Sequence, residues 1–228
     1  MKKIISKHFN FINALLEKRY KALILSLSLM IFAPFFLVGT PYQSLASFVF
    51  NSTSILLCIY AIQESRKQFV IGIVAAIVVI VINQSGVFKD SARISFFLSF
   101  ILYIIFYFFV AARLLRMIFN TERVRIGVLY AAIIVYLLIG IVGGYLFMLI
   151  ENAAPGSLRN LTIEQLSNPS EFFYFSFITL STLGYGDISP VSPPAEALSM
   201  MLSISGPLYL TILVALLVSR FEHSDMHL

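Results

Sequence analysis

The chain has 228 residues, of which 59% are hydrophobic and 12% charged, and its mean hydropathy is +0.92. A soluble domain carries about a quarter charged residues, so this composition excludes a water-exposed fold and calls for lipid over much of the surface. The formal charge of +5 does not point to nucleic acid, because the basic residues punctuate hydrophobic runs and form no stripe, and the lone Cys58 excludes an intrachain disulfide or a cysteine metal cluster.

Residues 1–21 read as a basic cytoplasmic arm, with Lys2, Lys3, Lys7, Lys18, Arg19 and Lys21. Ile5, Phe9, Ile12 and Leu16 recur there at helical spacing, which suits either an interfacial helix or a plain juxtamembrane tail. No small-residue cleavage site closely follows the first apolar core, so a signal peptide is not expected. Between Lys21 and Glu64 no residue is charged. One span needs about twenty residues, so this run predicts two, near 22–39 and 43–62, turning at Gly39-Thr40-Pro41. Further spans are predicted at 68–88, 94–112, 126–150 and 197–219. The chain thus divides into a four-span peripheral domain over 22–123, a second unit over 124–220 and a short cytoplasmic tail over 221–228.

Charge orients the spans. Arg66, Lys67, Arg113, Arg116, Arg123, Arg125 and Arg220 fall on the same side as the arm. The opposite side holds Lys89, Arg93 and Arg159 against Asp90, Glu151, Glu164, Glu171, Asp187 and Glu196. Six spans with both termini cytoplasmic satisfy the positive-inside rule, as in a multi-pass protein of a plasma or bacterial inner membrane.

The apolar stretch at 172–186 is too short to cross and reads as re-entrant. Asn168, Pro169 and Glu171 signal a helix start by capping, by fixed φ and by charge at the positive dipole end. After Ser181 the pattern breaks at Thr182-Leu183-Gly184-Tyr185-Gly186-Asp187. Two glycines one residue apart call for dihedrals that other residues avoid. A backbone of alternating hand turns successive carbonyls to one side, so Thr182, Leu183, Gly184 and Tyr185 would present a column of oxygens able to replace the water shell of a monovalent cation.

This segment resembles the pore signature of the potassium channel superfamily, typically Thr-Val-Gly-Tyr-Gly-Asp, and the similarity covers about 124–220. That filter is a standard instance of carbonyl-based ion selectivity. The resemblance implies an all-α membrane protein of six spans plus a re-entrant pore helix and filter, assembled as a homotetramer around a central pore. It implies K+ at Thr182, Leu183, Gly184 and Tyr185, Asp187 at the outer mouth, and pore-helix support from Tyr174, Phe175 and Ser181. Tyr185 is expected to pack on Tyr174 and Phe175. Leu183 stands where the family usually has Val. Phe175 stands where many members have Trp, and it lacks an N–H to tie the filter down.

In the last span, Gly206-Pro207 matches the family's gating hinge, with a static proline kink as the alternative. Leu210, Val214 and Leu217 recur at helical spacing as an inner apolar gate or as lipid-facing residues. The fourth span carries no charge, with Arg93 before it and Arg113 and Arg116 after it, so voltage dependence is expected to be weak or absent. Eight residues follow Arg220, and no ligand-binding domain is expected there. Asn160-Leu161-Thr162 is a glycosylation triplet, meaningful only in a secretory pathway.

The expected function is passive, selective K+ conduction by identical subunits in lipid, without a cofactor, an enzymatic step or a nucleic-acid partner. The alternatives are a nonselective cation channel or an accessory channel subunit. A secondary transporter would show paired broken segments in corresponding halves, and only one is present. An enzyme would need a catalytic constellation at membrane depth, and the spans hold no acidic residue.

Overall fold

The computed structural model describes the backbone of residues 2–62, 92–121, 126–162, 165 and 168–225. Six helices are described: α1 (Lys2–Phe36), α2 (Gln43–Ile62), α3 (Ala92–Asn120), α4 (Ile126–Ala153), α5 (Pro169–Leu180) and α6 (Pro193–Asp225). Two short strands, β1 (Leu158–Arg159) and β2 (Ser189–Pro190), pair antiparallel on either side of α5 in sequence. Among the described residues, five helices are long and apolar enough to cross a membrane, all except α5. The predicted span at 68–88 lies outside the described residues.

Two boundaries differ from the sequence reading. No break separates arm from first span, because Lys18, Arg19 and Lys21 are good helix formers and α1 runs through them. The helix also stops at Phe36, short of the predicted 39. Pro34 sits in its last turn, and the chain reverses through Gly39 at φ +75°.

α4 is the centre of the fold, packed against α1, α3, α5 and α6. Its Ala131, Ile134, Val135, Leu138 and Ile141 are buried, as are Leu23 and Leu27 of α1 and Tyr107 and Leu114 of α3. Lipid tails are as apolar as these side chains, so close packing must supply the attraction between helices. Gly140, Gly143 and Gly144 provide it on one face of α4. A methyl group on any of them would overlap Phe177, Ser176 or Phe173 of α5 respectively. The Ser176 hydroxyl uses the proximity to donate to the Gly140 carbonyl at 2.7 Å.

Polar side chains join the peripheral helices to this unit. Asn51 of α2 donates its amide to the Tyr145 hydroxyl at 2.8 Å and accepts from the Tyr107 hydroxyl at 3.3 Å. The Tyr145 ring stacks between Tyr103 and Tyr107 and meets the edge of Phe173, at 5.1 Å between centroids. At the far end of α6, the Arg220 guanidinium donates at 2.8 Å to the carbonyls of Ile118 and Phe119, which terminate α3. These last carbonyls of a helix have no intrahelical partner and favour a cation.

Among the described glycines, Gly206 leaves the least room for a side chain. A methyl there would overlap the Leu180 carbonyl oxygen at the end of α5. Gly206→Ala is therefore expected to lower the melting temperature in detergent, since overpacking costs about 1–3 kcal/mol. Gly127→Ala, whose nearest neighbour would be a Tyr20 ring carbon at 3.7 Å, should leave it unchanged. Equal melting of both variants would contradict the packing described.

Candidate functional site

Residues 168–192 begin as the sequence predicts. Asn168 is extended, and its Oδ1 accepts the Ser170 N–H at 3.2 Å and the Ser170 hydroxyl at 2.7 Å. Pro169 and Glu171 occupy the first turn. With 12 residues, α5 is about 18 Å long and cannot cross a bilayer.

Its end is closed by a Schellman arrangement. The Thr182 N–H donates to the Thr179 carbonyl at 3.0 Å, and the Leu183 N–H to the Ile178 carbonyl at 2.9 Å. The Gly184 N–H reaches the same Ile178 oxygen at 3.1 Å. Thr182 holds the position that glycine usually takes, at φ +60°, an outlying conformation for a β-branched residue. Helix termination accounts for that residue alone. Positive φ then recurs at Gly184 (+53°) and Gly186 (+79°), so the hand of the backbone alternates along the segment. Residues 181–187 are exposed in the single chain.

Asp187 closes the segment. Its Oδ2 accepts from the Tyr174 hydroxyl at 2.5 Å and its Oδ1 from the Ile188 N–H at 2.9 Å. The Tyr174 bond holds the Asp187 carboxyl below the usual carboxylate range, and the same bond pushes the Tyr174 phenol up to about 12. Glu171 moves the other way, raised first by burial and then by the Asp187 charge.

The side chains expected to support the segment sit in different surroundings within the single chain. Phe175 has no side-chain donor, and the hydrogen bond to Asp187 comes from its neighbour Tyr174. Phe175 is instead buried on Phe147 of α4, with ring centroids 4.7 Å apart. Tyr185, expected on Tyr174 and Phe175, is 68% exposed, so its ring is not covered within the chain. The Ser181 hydroxyl turns back to the Ile178 carbonyl at 3.3 Å.

α6 continues unbroken through Gly206-Pro207, and Gly206 is a close-packing position against α5. Of the gate candidates, Leu210 and Val214 lie open, whereas Leu217 is half-buried against the core with Leu213 and Leu216. That separates Leu217 from the predicted stripe. A cleft of about 430 Å³ lies between the segment after α5 and α6, with Thr182, Gly184, Gly186, Ser199 and Ser203 in its walls. Among the described residues, no group of three or more His, Cys, Asp or Glu is placed to hold a metal.

Comparison with known proteins bears on the same region. Residues 126–223, from the start of α4 into the last turn of α6, match the ion channel family. The inward rectifier potassium channel Kirbac3.1 of Paramagnetospirillum magnetotacticum is 35% identical over 72 residues, covering 32% of this chain and 21% of that protein. Potassium channel K1 of Plasmodium berghei is 44% identical over 41 residues (18% of this chain, 2% of that protein). The potassium voltage-gated channel protein shk-1 of Caenorhabditis elegans is 37% identical over 51 residues (22% and 10%). These matches support the potassium channel superfamily. The likeness is to ion channel proteins, and the family match lies within residues 126–223. The matched segments span about a fifth or less of these relatives' length, and no solved structure matches the chain.

The depressed Asp187 carboxyl has a pH consequence. Stability supplied by its bond is complete above the ordinary aspartate value, about 3.9, and is lost only as pH falls through the depressed one. Glu171, being raised, penalises the folded chain at neutral pH; the penalty begins to ease as pH falls through the raised value and is gone below the ordinary glutamate value, about 4.3. Tyr174→Phe is expected to return the Asp187 titration upward toward the ordinary range, read by NMR on labelled aspartate. An unchanged titration would mean that the phenol does not hold the carboxylate.

Proposed function

We propose that the chain is a subunit of a potassium-selective channel in which four copies surround one conduction path. The carbonyls of Thr182, Leu183, Gly184 and Tyr185 replace the hydration shell of K+, and ions move passively down their gradient. The observation that carries this reading is the alternation of positive φ at Thr182, Gly184 and Gly186 directly after a short capped helix. Backbone of this kind is tolerated at membrane depth only inside protein or beside a water-filled path.

Assembly follows from what one chain leaves open. Leu183, Tyr185, Met201, Ile204 and Val214 are each more than half exposed, and a single filter segment encloses nothing. Identical neighbours supply the missing walls, and lipid covers the outer faces. In this arrangement both termini are cytoplasmic and α6 lines the inner path, with Leu210 and Val214 as its narrowing residues. α3 carries no charge between 94 and 112, so gating by voltage is weak or absent. Each elementary charge crossing 100 mV contributes only about 2.3 kcal/mol.

Tracer Rb+ uptake into liposomes holding the full chain tests the proposal. An outward K+ gradient should drive uptake, and replacing internal K+ with Na+ should abolish it. Gly184→Ala has room for its methyl group, yet it places an L side chain at φ +53°, costing about 1–2 kcal/mol in every subunit. Uptake should therefore fall at least about tenfold. Equal uptake with internal Na+ and K+ would reject selectivity in favour of a nonselective cation pore.

A further inference from the structure

The loop after α4 is folded into a strap that reaches the filter segment from outside. Glu151, at the end of α4 and only 6% exposed, accepts the Gly156 N–H at 2.7 Å and the Leu158 N–H at 2.9 Å with its two oxygens. This closes a turn through Gly156 at φ +85°. β1 then pairs with β2, Leu158 opposite Pro190 and Arg159 opposite Ser189, while the Val191 N–H donates to the Ser157 carbonyl at 2.8 Å. The next residue along the strap is Asn160, and the ladder brings it level with the segment that follows Gly186.

Asn160 has left the extended conformation. Its φ is +67°, a region where asparagine is among the few tolerated side chains. From there its Nδ2 donates to the Asp187 carbonyl oxygen at 2.9 Å. A carbonyl only accepts, so the amide nitrogen must face it. Asp187 is therefore held from two sides: its carboxylate by Tyr174 and the Ile188 N–H, its backbone by Asn160. The triplet Asn160-Leu161-Thr162 is also occupied at its other end, where Thr162 Oγ1 accepts the Gln165 N–H at 3.3 Å and the Gln165 Oε1 accepts the Thr162 N–H at 3.0 Å. The nitrogen that a glycan would need is already engaged on the filter.

We propose that Asn160 is a positioning residue for conduction, its side-chain amide fixing the backbone at the outer end of the filter so that the strap after α4 sets how long the filter stays open. The inference rests on the reading of residues 182–187 as an ion filter. It assigns Asn160 no contact with the ion. Its action passes through the Asp187 carbonyl to the last left-handed residue, Gly186.

Two substitutions isolate the amide. Asn160→Gly keeps the left-handed backbone and removes only the side chain. Asn160→Asp keeps shape and backbone tolerance but replaces the donor with acceptors that repel the Asp187 carbonyl. The test is K+ current through the full chain in planar bilayers, followed as external K+ is lowered. Both variants should begin with the wild-type reversal potential and then lose current about two- to tenfold faster, the range set by one lost hydrogen bond. Restoring external K+ should remove the difference, a response that a general loss of stability would not give. Wild-type decay in both variants would overturn the proposal. Acceleration in Asn160→Asp alone would overturn it too, by assigning the effect to charge. A wild-type chain that carries no K+ current would reject the filter reading itself, and this inference with it.

Discussion

A backbone that alternates hand at Thr182, Gly184 and Gly186 cannot bond to itself as a helix or a strand does. Its backbone N–H and C=O groups need partners from elsewhere, so such a segment persists only if its surroundings hold it. Much of the second half of the chain can be understood from that requirement. α5 lends the Ile178 and Thr179 carbonyls to the first amides of the segment. Tyr174 and Asn160 grip Asp187 at its end. α5 is fixed in turn by the glycine face of α4 and by Gly206 of α6, where an added methyl would overlap the Leu180 carbonyl.

The peripheral helices are bound to this frame at two depths. Near α5, Asn51 and the stacked tyrosines connect α2 and α3 to Tyr145, and Tyr145 leans on Phe173. At the far end of the spans, Arg220 ties α6 to the last carbonyls of α3. In hydrocarbon such polar bonds are worth about 0.6–2 kcal/mol each. They make α4 to α6 and the peripheral helices of one chain a single packed body, even though α3 has no charge within its span.

The local parts of the site were legible in the sequence. Asn168, Pro169 and Glu171 announced a helix start, and Gly184 with Gly186 announced unusual dihedrals, because each signal is confined to a few adjacent residues. The supports were not legible for the opposite reason. Tyr174 and Asp187 are 13 positions apart, Asn160 and Asp187 27, and Arg220 and Ile118 102, so no window reads them together. The stripe Gly140, Gly143, Gly144 did carry a signal, small residues at helical spacing inside an apolar span. The orientation of α6 carried none. It is apolar on nearly every side, so periodicity could not separate Leu217, which meets the core, from Leu210 and Val214, which do not.

The most direct measurement is the reversal potential of the full chain in planar bilayers with K+ on one side and Na+ on the other. The account predicts a reversal displaced far toward the potassium equilibrium value, since a carbonyl column, by its geometry or its field strength, would compensate K+ for its lost water better than Na+. A reversal near zero would mean that the segment from Thr182 to Asp187 does not discriminate between the two ions, and would contradict its reading as a potassium filter.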